Sequence, residues 1–147
     1  MDGRQRIISA LNRQPVDRTP VWFMRQAGRH LPEYRKIAAE HNFWERCMDV
    51  DLCKTITLQP IERYQKIDAA IIFSDILTPL PSLGYDVEYG GGIRISEFSL
   101  DDVDDWTKFN ARKHAPWAAD GLQAVGEEVG DSVARLGFVG SPWTICM

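Results

Sequence analysis

The run Ala69-Ala70-Ile71-Ile72-Phe73 is the feature that most constrains this chain. It is too short for a typical helix and lacks the polar alternation of a strand with one wet face. It predicts a strand covered on both sides, as in sheets layered between helices. The run closes on Ser74-Asp75, so a carboxylate is expected at the end of a buried strand. Two further apolar stretches have a similar character. Pro20-Val21-Trp22-Phe23-Met24 leads into Arg25-Gln26-Ala27-Gly28-Arg29, and Val133 to Val139 is closed by Gly140-Ser141-Pro142.

Helical spacing fills the intervals. Ile7, Ile8 and Leu11 predict a short amphipathic helix over 4–13, stopped by Pro15 and Pro20. Pro32 followed by Glu33 has the form of a helix start, with proline tolerated in the first turn and an acid favoured by the dipole. Asp49 is placed to cap a helix running to about Tyr64, in which Pro60 can introduce a kink. One long helix is expected from about Ala111 to Val129. Asp86 to Tyr89 should pair with Ile93 to Ile95 as a hairpin across Gly90-Gly91-Gly92. Asp101, Asp102, Asp104 and Asp105 read as an acidic helix start on a solvated face.

Alternating helices and apolar strands predict an α/β fold with a parallel sheet. A doubly wound sheet and a (β/α)8 TIM barrel both fit the order. Two features favour the barrel. Arg25, Asp75 and Ser141 fall where strands end, as barrel active sites require, and Arg25-Gln26-Ala27-Gly28 is no GxGxxG dinucleotide loop. A barrel takes about 250 residues, whereas this chain has 147. It is therefore expected to be a single domain over 1–147, the N-terminal part of a barrel that is incomplete here. Trp143-Thr144-Ile145-Cys146-Met147 reads as the middle of an element.

Composition narrows the classes of partner. Hydrophobic residues at 44% and charged ones at 26% describe a globular chain, and a net charge of -4 gives no reason to expect nucleic acid or an anionic membrane. No run approaches the ~18 apolar residues of a membrane span. Cys47, Cys53 and Cys146 contain no CxxC pair, which argues against both a disulfide framework and a zinc knuckle. The segment Met1 to Arg6 lacks a signal-peptide layout, so cytoplasm is the default compartment.

The densest polar cluster is Arg25, Arg29, His30 and Arg35. Guanidinium groups grip carboxylates through paired hydrogen bonds, so several at one strand end suit a polycarboxylate. The alternative is a surface loop whose arginines pair with Glu33 and Glu40, and spacing by itself favours that reading. Asp75 is a desolvated functional carboxylate or a cap on the following turn, and spacing does not separate the two. Nothing in their spacing marks Tyr34, His30, Tyr85 or His114 as acids or bases.

Three ordered stretches carry a resemblance. Met24-Arg25-Gln26-Ala27-Gly28-Arg29-His30-Leu31-Pro32-Glu33-Tyr34-Arg35 resembles the N-terminal signature of the uroporphyrinogen decarboxylase family. Thr57-Leu58-Gln59-Pro60 with Asp68 to Leu77 is similar to a second stretch of it, and Gly137-Phe138-Val139-Gly140-Ser141-Pro142-Trp143-Thr144 to its second signature. The resemblance extends from Arg4 onward and corresponds to somewhat less than half of a family member. Two departures stand out. His30 occupies a position where the family usually has tyrosine, and Ala38 one where it often has arginine.

The resemblance implies a (β/α)8 barrel, often a homodimer, acting in the cytosol on uroporphyrinogen III. Four acetate side chains lose carbon dioxide to give coproporphyrinogen III, with no metal or organic cofactor. It carries substrate-binding roles onto Arg25, Arg29 and Asp75, with the segment Gln26-Ala27-Gly28-Arg29 and backbone groups around Phe73 lining the cleft. Asp75 and Arg25 would be the catalytic residues, Asp75 facing the pyrrole N–H groups and Arg25 binding the reacting acetate. The family's active-site tyrosine and histidine would fall beyond Met147, so the chain as given is expected neither to close a barrel nor to turn over. Two rivals remain: a cobalamin- or coenzyme M-linked methyltransferase on the same barrel, and a non-catalytic porphyrin-binding fragment.

Overall fold

A computed structural model describes residues 1–24, 28–97, 101 and 107–146. The order is α1 (Gly3–Leu11), α2 (Pro32–Glu40), α3 (Phe43–Met48), α4 (Val50–Tyr64), β1 (Ala69–Ile71), α5 (Pro79–Ser82), β2 (Val87–Tyr89), β3 (Ile93–Ile95), α6 (Ala111–His114), α7 (Pro116–Val129), β4 (Ala134–Leu136) and α8 (Pro142–Cys146). This is a mixed α/β fold. Among the described residues no helix is long and apolar enough to cross a membrane.

The apolar run forms β1, which pairs in parallel with β4 in the register Ala69↔Ala134, Ala70↔Arg135, Ile71↔Leu136. The Ile72 N–H extends the pairing to the Leu136 carbonyl at 3.0 Å. A parallel pair needs a covered crossover, and α7 supplies it by packing on both α4 and β4. Ile56 of α4 and Val125 of α7 are fully buried, and with Cys47, Cys53, Ala70, Ile72 and Phe73 they form the centre of the main core. The expected hairpin is present, antiparallel, with Val87 opposite Ile95.

Asp49 caps α4 as expected, its side chain accepting the Leu52 N–H at 2.9 Å. The preceding helix α3 was not foreseen, although its signal was legible. Asn42 and Glu45 form a reciprocal capping box, Asn42 Oδ1 taking the Glu45 N–H at 2.9 Å and Glu45 Oε2 the Asn42 N–H at 2.7 Å.

Three expectations are corrected. No strand forms over Pro20–Met24, although the Asp68 N–H donates to the Val21 carbonyl at 2.8 Å and joins this segment to the start of β1. Pro20 has no N–H, and the Val21 N–H is taken by the Asp68 carboxylate at 2.8 Å, so neither donates to a backbone ladder. The strand expected over Val133–Val139 shortens to Ala134–Leu136, and it is buried only at its start: Val133 is 5% exposed, Val139 88%. The long helix divides at Ala115, whose φ of -138 and ψ of 52 are not helical. Pro116 has no N–H to donate and disfavours helical geometry in the residue before it. Of the acidic quartet, Asp101 is exposed, and Asp102, Asp104 and Asp105 lie outside the described residues.

At the amino end of β1, α1 docks so closely that only glycine fits at its first position. The Gly3 N–H donates to the Ser132 carbonyl at 2.9 Å, and a Cβ there would lie 2.5 Å from that oxygen and 2.9 Å from the Asp68 carbonyl. Both obstacles are backbone. Gly3→Ala should therefore destabilise the fold by roughly 1–3 kcal/mol, the range for forced overpacking. A urea melt with an unchanged midpoint would show that α1 can move away freely.

Candidate functional site

Two clefts open at the carboxyl ends of β1 and β4. One, of about 280 Å3, is lined by Ser74, Asp75, Thr78, Phe109, Arg112 and Phe138 among others. The other, of about 430 Å3, is lined by Trp22, Arg29, Ile71, Phe73 and Phe138 among others. Ser74 and Phe138 border both. The carboxyl edge of a parallel sheet is where α/β folds place their sites, because the loops that leave the strands gather there.

Asp75 is half-buried in the turn that leaves β1. Its Oδ1 accepts the Leu77 N–H at 2.7 Å, and its carbonyl accepts the Thr78 hydroxyl at 2.6 Å. One carboxylate oxygen thus fulfils the turn-capping alternative while the residue also borders the first cleft. Arg29 is exposed, its guanidinium 6.0 Å from the centre of the Phe43 ring. The loop alternative expected Glu33 to pair with the cluster's arginines, but Glu33 is held by Arg63 at 2.8 and 3.0 Å. Gly28 adopts φ +63, and a Cβ there would meet Leu31 Cδ1 at 2.9 Å, so glycine is needed where the chain turns into α2. Arg25, Gln26 and Ala27 lie outside the described residues.

Phe73 borders the second cleft, but its backbone groups are already engaged. Its N–H donates to Thr57 Oγ1 at 2.9 Å, and its carbonyl accepts from Cys53 Sγ at 3.2 Å. Thr57 in turn donates to the Cys53 carbonyl at 2.7 Å. These bonds from α4 fix the exit of β1 where Phe73 lines the cleft. The sequence did not single out Thr57 for this, since a threonine in a helix interior is usually only back-bonded to its own helix.

Arg46 was also missed. Its guanidinium is buried, donates to the Tyr34 hydroxyl and to the Asn42 carbonyl (3.0 Å for the latter), and lies 5.3, 5.8 and 5.9 Å from the rings of Tyr34, Phe43 and Phe73. A cation among aromatic faces needs no carboxylate partner, which is why charge pairing does not mark it in the sequence. Burial pushes the Cys47 thiol up to about 12 and the Cys53 thiol up to about 11, so both are neutral core residues at ordinary pH rather than nucleophiles. The Tyr89 phenol is also raised, first by burial and then by the negative charge of Asp75.

The remaining candidates have local partners. His30 Nε2 lies 2.5 Å from the Tyr64 hydroxyl, His114 Nδ1 accepts the Asn110 N–H at 3.0 Å, and Ser141 Oγ accepts the Thr144 N–H at 3.2 Å. Among the described residues, no three His, Cys, Asp or Glu side chains group as metal ligands.

The family model described as Uroporphyrinogen decarboxylase (URO-D) matches residues 2–147. The chain belongs to the uroporphyrinogen decarboxylase family. Relatives bearing that name include one from Pseudomonas paraeruginosa (strain DSM 24068 / PA7), 43% identical over 145 residues, and one from Chromohalobacter salexigens, 44% identical over 146 residues. A third, from Pseudomonas aeruginosa (strain LESB58), is 42% identical over 145 residues. Each alignment covers 95% of this chain and 41% of the relative. In this uroporphyrinogen decarboxylase family member, the stretch beginning at Thr57 is buried in the core, whereas Arg29 borders the second cleft and Asp75 the first.

Proposed function

We propose that this chain contributes the Arg25–Arg29 loop and Asp75 to a decarboxylase acting on uroporphyrinogen III, within a (β/α)8 barrel of which β1 and β4 are neighbouring strands. The family match over residues 2–147 carries this reading. The site supports it, with a half-buried carboxylate and an arginine at the carboxyl end of the parallel pair. A cytosolic homodimer working without metal or organic cofactor is part of the same proposal.

The chemistry follows from the substrate. An acetate that loses carbon dioxide leaves an electron pair on its methylene carbon. A pyrrole first protonated on a ring carbon accepts that pair. Protonation of the methylene then gives the methyl group, and release of the ring proton restores the pyrrole, so each cycle consumes one proton and releases one carbon dioxide. The ring is cationic when the carbon–carbon bond breaks, and a fixed carboxylate facing its N–H stabilises that charge most when water is excluded. Asp75 fills this role, with Oδ1 already oriented by the Leu77 N–H. Arg25 and Arg29 hold substrate carboxylates through paired hydrogen bonds. Arg25 acts mainly in binding, because a guanidinium is too weak an acid to deliver protons at neutral pH.

The test is release of carbon dioxide and appearance of coproporphyrinogen III when the complete polypeptide carrying this chain is given uroporphyrinogen III. Binding of the porphyrinogen with no carbon dioxide released would reduce the role to binding. Arg25→Ala should raise the Michaelis constant, lower turnover, or both, with an unchanged melting temperature. Unchanged kinetics would place Arg25 outside the site.

A further inference from the structure

We propose that the buried guanidinium of Arg46, one ring behind the wall of the second cleft, is a specificity-determining charge that makes this cleft favour a ligand with many carboxylates. The inference deepens the decarboxylase reading and rests on it for the identity of that ligand.

Arg46 comes from the short helix α3 and is 8% exposed. Its Nε–H donates to the Asn42 carbonyl at 3.0 Å, and a second guanidinium N–H donates to the Tyr34 hydroxyl. Both acceptors are neutral. Among the described residues the arginines paired with carboxylates are Arg4, Arg6, Arg18 and Arg63, not Arg46. The rings of Tyr34, Phe43 and Phe73, at 5.3, 5.8 and 5.9 Å, attract the cation through their quadrupoles. These contacts make its burial tolerable without cancelling its charge. A full positive charge therefore remains inside the main core.

Two of the three rings connect that charge to the second cleft. Phe73 lines the cleft together with Arg29, and Asp75 borders the other one. Phe43 packs against Phe73 at 5.8 Å and is also the ring over which the Arg29 guanidinium lies, at 6.0 Å. Arg29 and Arg46 thus share one aromatic neighbour, the first exposed at the cleft and the second buried behind it. Water and salt screen an exposed charge, whereas one held in the low-dielectric interior keeps more of its field. Trp22, Ile71 and Phe138 wall the cleft with apolar surface, which focuses that field on whatever enters. Arg29 can grip one carboxylate by contact. Arg46 touches none and acts on all of them, so its effect grows with the charge the ligand carries.

The test uses the complete polypeptide and two fluorescent porphyrins that carry the side chains of substrate and product. These are uroporphyrin III and coproporphyrin III, the second with four carboxylates fewer. Arg46→Met keeps an apolar stem among the rings and removes the charge. It should weaken binding of uroporphyrin III about tenfold and of coproporphyrin III about threefold, with an unchanged melting temperature, because the lost attraction scales with ligand charge. Arg46→Gln is neutral but can still donate to one neighbour, and it should show the same graded loss. Arg46→Lys keeps the charge and should bind both porphyrins within about twofold of the unsubstituted protein. Unmoved affinities in the two neutral variants overturn the inference. So does an equal loss for both porphyrins, which marks a structural role, and so does a lysine variant as weak as the neutral ones. Graded binding with no carbon dioxide released from uroporphyrinogen III by the unsubstituted protein overturns the decarboxylase reading alone. Binding of neither porphyrin by that protein overturns both.

Discussion

Asp75→Ala in the complete polypeptide should lower turnover of uroporphyrinogen III by at least ~100-fold, about 2.7 kcal/mol of transition-state stabilisation. Alanine removes both the charge and the turn cap, so it cannot by itself say which matters. Asp75→Asn separates them. The amide oxygen can still accept the Leu77 N–H that Oδ1 accepts at 2.7 Å, while the negative charge is lost. If the charge stabilises a cationic pyrrole, the two variants should lose similar amounts of activity. If asparagine works normally and alanine does not, Asp75 is a turn residue and the electrostatic role fails. Steady-state assays of carbon dioxide release, with thermal melts of both variants, decide between these outcomes.

The second large effect is expected on stability, at the opposite end of β1. Asp68 is 1% exposed. It accepts from Arg6, from Arg18 at 2.7 and 2.8 Å, and from the Val21 N–H at 2.8 Å. Arg6 also holds Asp17, at 2.6 Å. This network joins α1, the segment before the first site loop and the start of β1. Asp68→Asn leaves guanidinium groups facing a neutral amide that offers one acceptor fewer. Breaking one member of a buried pair typically costs about 3 kcal/mol, or roughly 10 °C in melting temperature for a chain of this size. An unchanged melting temperature would show that water replaces the carboxylate without loss.

The same network sets an acid limit. Burial works to raise the Asp68 carboxyl, but Arg18, the Val21 N–H and Arg6 outweigh it and hold it below the usual carboxylate value of 3.8. Asp17 is held lower as well, chiefly by its hydrogen bond to Arg6. A carboxyl whose folded pKa is depressed contributes stability that is fully present above its unfolded pKa and lost as pH falls through the folded one. Stability should therefore hold down to about pH 4 and drop below it, with a smaller drop in Asp68→Asn than in the unsubstituted protein.

Much of the site was legible because its parts are local. An apolar run closing on Ser74-Asp75 points to a carboxylate just beyond a buried strand, and Asp75 lies in the turn that leaves β1. Asp49 and the Gly90-Gly91-Gly92 hairpin also follow from short-range chemistry, a cap and a turn. The misread elements depend on partners distant in sequence. Val21-Trp22-Phe23 has strand composition, yet Asp68 takes the N–H that a ladder would need. Val139 is apolar and still 88% exposed, because among the described residues nothing extends the pairing of β4 that far.

The sequence by itself determined the parallel α/β pattern, the position of Asp75 and the family, since these rest on periodicity and on contiguous motifs. Only the tertiary structure decided that Arg29 lies over Phe43, that Thr57 uses up the Phe73 N–H, and that Tyr89 packs on Phe43. Those contacts join residues from separate elements, and their geometry is set by how α3, α4 and the hairpin pack around one buried core. Hydrophobic burial is non-directional, so a sequence pattern can say which faces turn inward without saying which side chains then meet.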